Sequence, residues 1–471
     1  MKRRPLSCAA LLALLWLPSA VATPLVVLTP EPADSAFGRL AAAIAAERHA
    51  PLVRLDPDGK VDWARDLRRA AAPYAIMVLP AERVDQNLLH RLLRAAVAVD
   101  DDPFLDLRVG LVTGRDAERA ATFWKRTQAL RGPELPTRLT YLATAPGNRS
   151  LESVEPFAVG RTTFRLGTLR IAADDPKRES FLADRRAGLA GNRLILLTGH
   201  GAPEGITYGF QALDLRDADL SPAVVVNCAC LTGSLARVFW ARDGHVRVTE
   251  LRPEETFALA VLESGASGYF AGVGSWHGIL AIQAFCDLLY DGATCGDAAK
   301  AQVDRMTLEW DGGMPEPADL HEGDTDEGLE DLRQMQAGVA FYGDPTLQPV
   351  REAAGSPWRV LVKAQGKGWR LTAVRPPSEL PFAEYRSQSY YEARDGSAEV
   401  SLVAMLPTGS TVKSVAVPQI GIGAESIPPT RILWGLEQDS GHEFLHLTVL
   451  FPEARAGTAQ TAGVEIVADL R

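Results

Sequence analysis

From residue 23 the chain alternates short apolar runs with stretches whose apolar positions recur every three or four residues. Runs at 24–29, 51–55, 74–80 and 107–113 read as strands, and 36–48, 62–72, 87–97 and 115–131 as helices, with Asp62 placed to cap the second. Such alternation predicts parallel strands joined by helical crossovers. Residues 132–190 are less regular, with strands predicted at 139–143 and 161–171 and a helix near 180–189. After Gly191 the rhythm returns: strands at 193–198, 223–227 and 268–274, helices at 232–240, 255–264 and 279–290. An acidic stretch, 311–332, reads as loop with a short helix before a last apolar run at 338–342. Beyond residue 356 helical spacing disappears. Seven alternating runs (358–364, 369–374, 398–406, 412–417, 431–436, 443–451 and 463–469) are separated by Gly, Pro and Ser. This pattern predicts a β-sandwich, immunoglobulin-like in size and strand spacing.

The fold class is therefore α/β, and the chain divides into four segments. Residues 1–22 carry Lys2, Arg3 and Arg4, an apolar core at 9–17 and a small-residue Ala20-Val21-Ala22 site, the pattern of a cleaved signal peptide. Cys8 lies within that segment. An α/β subdomain is expected over 23–131, a parallel-sheet α/β/α unit over 132–350 and the sandwich over 356–471. At 46% apolar and 23% charged, the 471 residues are those of a folded protein. A net charge of -10 excludes a general nucleic-acid binder. No later stretch is long and apolar enough to span a bilayer as a helix, so the expectation is an exported protein in the periplasm, at the cell surface or outside the cell. The sequence assigns no oligomeric state.

Two apolar runs end abruptly in reactive side chains. The first closes in Gly199-His200-Gly201 and the second in Asn227-Cys228-Ala229-Cys230, followed by Gly233. In parallel α/β sheets functional residues gather beyond the carboxyl ends of strands. A base and a thiol at the ends of neighbouring strands are what thiol catalysis requires. His200 would raise the thiolate population of Cys230 and protonate the leaving amine, and the N–H groups of Gly201 and Cys230 would form an oxyanion hole. Cys228 lies deeper in its apolar run and reads as packing. A third run ends at the same rim in Ser275-Trp276-His277, placed as walls of a substrate pocket. Cys286 and Cys295 are close enough in sequence to be bridged, while Cys228 and Cys230 in a regular strand would lie roughly 7 Å apart, at the limit for a disulfide.

These blocks, in this order, resemble the gingipain-type family of the caspase-like clan of cysteine peptidases. The resemblance rests on residues 109–115 leading into a long helix, Gly199-His200-Gly201, residues 215–219, Ala229-Cys230-Leu231-Thr232-Gly233, residues 265–270 and Tyr342-Gly343-Asp344-Pro345-Thr346-Leu347. It spans about 105–350, with an α/β subdomain before it and a sandwich after it. The resemblance implies a caspase-like catalytic unit and a Cys-His endopeptidase acting on protein or peptide substrates. Cys230 would be the nucleophile, His200 the base and the Gly201 amide part of the oxyanion hole, with Trp276 bordering the primary specificity pocket. Glu152 and Glu155 lie in the region where that family carries the acid selecting a basic side chain, and no third catalytic acid is identified. No cofactor is required. Some members bind calcium, and a structural calcium ion is compatible with the acidic stretch 311–332, whose plainer reading is a solvated loop.

Two further readings stay open. One is a catalytically weak member of the same family acting as a secretion or surface-assembly module. The other is a zinc protease, because His442-Glu443-Phe444-Leu445-His446 spells HExxH. That motif needs both histidines one turn apart on a helix. Here a turn, Asp439-Ser440-Gly441, precedes it and an apolar alternating run follows, so the segment reads as one arm of a hairpin. In a strand the two histidines would stand about 13 Å apart, too far for one zinc ion.

Overall fold

The computed structural model describes residues 25–57, 62–131, 138–144, 157–159, 162–274, 288–289, 292–309, 319–325, 338–350, 358–377, 397–408, 410–439, 442–452, 455, 458–459 and 462–471. The signal-peptide segment, Glu152, Glu155, Ser275, Trp276, His277, Cys286 and most of the helix expected at 279–290 lie outside them.

The first strands are β1 (Leu25–Thr29), β2 (Leu52–Arg54), β3 (Tyr74–Val78) and β4 (Arg108–Val112), alternating with helices α1 (Ala36–Glu47), α2 (Trp63–Ala70), α3 (Gln86–Val97) and α4 (Ala117–Ala129). Each helix starts where a short polar side chain takes up an otherwise unpaired amide. Ser35 accepts from Gly38 N, Asp62 from Ala64 N, Asp85 from Leu88 N and Asp116 from Arg119 N. Strands β5 (Arg138–Ala143), β6 (Phe157–Val159), β7 (Thr162–Thr168) and β8 (Leu194–Thr198) follow, with α5 (Arg178–Ala187) before β8. A short hairpin, β9 (Gly201–Ala202) and β10 (Gly205–Ile206), and helix α6 (Ala212–Leu215) lead to β11 (Val224–Asn227).

The helix expected at 232–240 does not form. Residues 237–250 are instead a hairpin of β12 (Arg237–Arg242) and β13 (His245–Glu250). Its turn is Asp243-Gly244, both with positive φ (53° and 75°), the geometry of the tight turn that matches strand twist. Alternating Val238, Trp240 and Val246, Val248 suit a pleated ribbon better than a helix. Helix α7 (Phe257–Glu263), β14 (Gly268–Gly272), α8 (Cys295–Glu309) and β15 (Val339–Tyr342) complete this part.

Eleven of these strands form one sheet, in the order β2-β1-β3-β4-β15-β14-β11-β8-β5-β7-β6. Its pairings are parallel except at β14–β15 and β6–β7. The β4–β15 join is a single bridge, Tyr342 with Leu111. Beyond β3 the chain reaches the edge where β11 and β14 end: Gln86 Nε2 donates to Val273 O at 2.7 Å, and Ala236 N donates to Val84 O at 3.2 Å. His200 and Cys230 follow β8 and β11 at that edge. Burial explains the strand composition: β1, β8 and β11 are buried along their whole length, as unbroken apolar runs in a two-sided parallel sheet must be. Where β15 ends, buried Asp344 takes Arg48 of the α1 C-terminus, Arg131 (2.6 Å) and Gln128 of α4 (3.1 Å), tying the sheet to both helices. Burial would push this carboxyl up, but Arg131 and Arg48 overcome it and hold it below its ordinary range.

The carboxyl-terminal strands are β16 (Arg359–Gln365), β17 (Gly368–Arg375), β18 (Ser397–Met405), β19 (Val415–Ala416), β20 (Ile420–Ile422), β21 (Glu425–Ile427), β22 (Arg431–Asp439), β23 (His442–Pro452) and β24 (Val464–Leu470). They make a sheet ordered β16-β17-β24-β20-β21, with β19 beside β24, and a second ordered β18-β23-β22. Leu371, Ala373, Ile466 and Ala468 of one sheet share a buried core with Val400, Leu402, Leu445 and Leu447 of the other, which makes the pair a sandwich.

This sandwich meets α8 through buried charges. Lys300 Nζ lies 2.6 Å from Asp304 Oδ2 and 2.8 Å from Glu437 Oε1. His446 Nε2 is 2.5 Å from the other Glu437 oxygen, and its ring stacks on Phe104 with centroids 4.2 Å apart. Arg305 of α8 forks onto Glu399 of β18, with Nε at 2.8 Å. Gly435 of β22 leaves the space that Phe104 fills, since a Cβ there would stand 2.6 Å from the phenyl ring.

His442 and His446 thus sit on strand β23, the first exposed and the second buried, and the HExxH string is not helical. Asp304, Glu437 and His446 are the one group with metal-like spacing among the described residues. The Lys300 ammonium already holds both carboxylates there.

Removing one partner of a buried ion pair leaves an uncompensated charge, a cost of about 3–5 kcal/mol. Lys300→Met is therefore expected to lower the unfolding free energy by about that amount in denaturant titrations, while Arg252→Ala, at an exposed pair, changes it by less than about 0.5 kcal/mol. A second expectation concerns acid. Burial alone would raise the Glu437 carboxyl, but the His446 hydrogen bond and Lys300 bring it down to about 2. A depressed carboxylate contributes stability above its unfolded pKa, near 4.3, and loses it as pH falls towards 2, here roughly 3 kcal/mol. Melts in that window should show Glu437→Gln losing less stability on acidification than wild type.

Candidate active site

The site is built from the register of two neighbouring strands. Parallel β8 and β11 pair Leu194 with Val224, Ile195 with Val225, Leu196 with Val226 and Leu197 with Asn227. The amide of Cys228 continues the ladder, donating to Leu197 O at 2.9 Å. His200 and Cys230 each follow two residues past the end of this ladder, at Thr198 and Cys228.

Each chain then leaves its strand through a constrained turn. Gly199 passes the end of β5 so closely that a Cβ would stand 1.7 Å from Thr144 Oγ1. His200 is exposed, and its carbonyl accepts from Thr207 N at 2.7 Å. That bond makes 200 and 207 a hydrogen-bonded pair, so Gly201, opposite Ile206, occupies a non-hydrogen-bonded position of the hairpin. The Gly201 N–H therefore faces away from its hairpin partner. A Cβ on Gly201 would lie 2.4 Å from Cys230 O, 2.7 Å from Ala229 Cβ and 2.9 Å from Thr232 Cγ2. Glycine there brings the two loops into direct contact. Among the described residues no side chain hydrogen-bonds the His200 imidazole.

The two thiols of the loop differ in environment. Cys228 is 2% exposed, and burial pushes its thiol up to about 12 against the opposing hydrogen bond from Thr198. Cys230 is half-buried, with a path to solvent. A thiol fixed in its protonated form is a poor nucleophile, which separates a packing cysteine from a reactive one. Leu231 follows with φ of 61°, left-handed for a branched residue, and its amide donates to Gly274 O at 3.0 Å. Backbone in that region persists only where its surroundings over-determine it. The contact with Gly274 also brings the end of the β14 segment against the thiol loop. Ser275, Trp276 and His277, expected as pocket walls, lie just beyond the described residues.

Residues to which the sequence assigns no catalytic or pocket role hold the loop from below. Asn227, Thr232, Tyr269 and Tyr342 are buried and hydrogen-bonded to it. In the sequence they look like members of apolar runs, and their spacing carries no signal. Within the acidic stretch, residues 319–325 are described. There Asp319 pairs with Arg91 (2.5 Å), Glu322 with Arg247 (3.1 Å), and Asp324 accepts from His321 N (2.7 Å). Among the described residues no helix is long and apolar enough to cross a membrane.

At neutral pH iodoacetamide should label Cys230 and spare Cys228 and Cys295, whose thiols are buried and raised. Peptide mapping of briefly alkylated protein reads this. Equal labelling of Cys228 and Cys230 in folded protein would contradict the assignment.

No protein-family model matches this chain, and no curated protein sequence matches it. Among solved structures it is similar to a complex of the pro- and mature domains of RgpB from Porphyromonas gingivalis, with 11% identity, 94% of this chain and 99% of that one covered, and a TM-score of 0.43. It is similar to the Arg-specific cysteine proteinase gingipain R at 11% identity, 91% and 95% coverage and a TM-score of 0.44. A third structure, described as a protease, aligns at 11% identity over 95% and 97% of the chains, with a TM-score of 0.41.

Proposed function

We propose that the protein is an exported cysteine endopeptidase in which Cys230 and His200 perform the chemistry. The observation that carries this reading is the contact of Gly201 with Ala229, Cys230 and Thr232, in loops that follow the paired strands β8 and β11. The Cys230 sulfur, deprotonated by His200, attacks the scissile carbonyl carbon. A C–S bond forms, and the carbonyl π electrons move to oxygen. The Gly201 N–H, facing away from its hairpin partner, meets that oxyanion, with the Cys230 N–H as second donor. Collapse breaks the C–N bond, and the imidazolium gives its proton to the departing amine. Water, deprotonated by His200, then attacks the thioester carbonyl, releasing the acid and restoring the thiol. No step calls for a metal or an organic cofactor, and the substrate is a protein or peptide.

Export is supported by the charged start, short apolar core and small-residue site of residues 1–22. The pocket-wall reading of Ser275, Trp276 and His277 rests on the sequence, where they follow Gly274, whose carbonyl accepts from Leu231 N.

The test is mass spectrometry of a diverse peptide library incubated with reduced protein, which reads activity and side-chain preference together. Wild type should cut at a restricted set of sites. Cys230→Ala and His200→Ala should each lose about 10³-fold or more of that rate, while Cys228→Ala stays within about threefold. Absence of cleavage by wild type would favour the scaffold or surface-assembly reading instead.

A further inference from the structure

The backbone on both sides of Cys230 is held by groups that never reach solvent. Asn227 Oδ1 accepts from Ala229 N at 2.9 Å, and its Nδ2 donates to the Tyr269 hydroxyl at 3.1 Å. That hydroxyl donates in turn to Thr232 O at 3.1 Å, and Thr232 Oγ1 donates back to Ala229 O at 2.8 Å. On the far side the Tyr342 hydroxyl donates to Gly233 O. Gly233 N donates to Gly272 O at 2.8 Å, and Ser234 Oγ to Val273 O at 3.1 Å. Asn227, Thr232, Tyr269 and Tyr342 are each 0% exposed. The two tyrosine rings lie 6.1 Å apart in the centre of the sheet.

A buried phenol costs free energy unless its hydroxyl is paired, whereas phenylalanine would fill the same apolar space without that cost. Both hydroxyls are spent on carbonyls of one loop, those of Thr232 and Gly233, directly after Leu231 in its left-handed conformation, while Asn227 holds Ala229 on the other side of it. Strained backbone of this kind relaxes when its supports are removed. We propose that Asn227, Tyr269 and Tyr342 are positioning residues that fix both flanks of the strained loop and so hold Cys230 against His200. The inference rests on the peptidase reading above.

The experiment compares full-length wild type with Tyr269→Phe and Tyr342→Phe, each normalised to active sites titrated with a covalent thiol probe. The turnover kcat per titrated site should fall by about 10- to 100-fold in each variant, as expected for a misplaced nucleophile. KM should stay within about threefold. The acidic limb of the kcat/KM profile should move to higher pH, because a displaced sulfur is less coupled to its base. A purely structural role would lower the active fraction and the melting temperature while leaving kcat per site and the acidic limb unchanged, and that result overturns the proposal. Should Tyr269→Phe fail to fold, Tyr342→Phe carries the test, joined by Thr232→Val against Thr232→Ser, of which only the first should be slow. If wild type cleaves nothing, the peptidase reading fails by itself. The positioning claim is then read from the rate of Cys230 alkylation, which must drop in the variants for it to stand.

Discussion

The constraint on which the structure depends is the fixed register between β8 and β11 at the centre of the large sheet. Both strands are buried throughout, so a one-residue slip would turn their apolar side chains from one packed face to the other. The core therefore locks the offset between the chains, and the offset sets which residues emerge side by side at the rim. His200 and Cys230 each follow two residues past the end of that ladder, and the contacts of Gly201 with Ala229 and Cys230 bring the two loops together. The local geometry adds the last steps: Gly199 squeezes past Thr144, Gly201 lets the loops touch, and Leu231 turns the chain under the thiol.

The rest of the molecule positions this pair without joining it. The first α/β segment buttresses the sheet and supports the loops from behind: Gln86 Nε2 donates to Val273 O at 2.7 Å, and Val84 O accepts from Ala236 N at 3.2 Å. Asp344, gripped by Arg48 and Arg131, anchors that buttress where β15 ends. The sandwich is held at a distance by Lys300, Glu437 and His446, where correct pairing gives a defined geometry more than net stability. His446 looked in the sequence like half of a zinc motif; in the fold its partners are a carboxylate and the face of Phe104.

Much of the fold could be read from periodicity because a two-sided sheet demands it. The runs that became β1, β3, β8 and β11 have no polar interruption, and Asp62 announces the start of α2. The candidate pair was legible for the same reason, since each reactive residue breaks an apolar run beside glycine. The segment after Gly233 is different: its apolar residues fit helical spacing, while Asp243-Gly244 marks the hairpin that forms. Strand direction was also hidden, because β14 and β15 are separated by a long connection that permits either sense. The roles of Asn227 and Tyr269 exist only after β11 pairs with β14. Hydrogen bonds between strands leave no trace in the spacing of one chain.

The claim at the centre is that His200 keeps Cys230 reactive as a thiolate. The pH dependence of Cys230 alkylation in wild type and His200→Ala tests it most directly. The two proteins should differ by more than about tenfold near neutral pH and converge at alkaline pH, where the thiol ionises unaided. Superimposable profiles would show that the histidine does not act on the thiol, and would contradict the pairing.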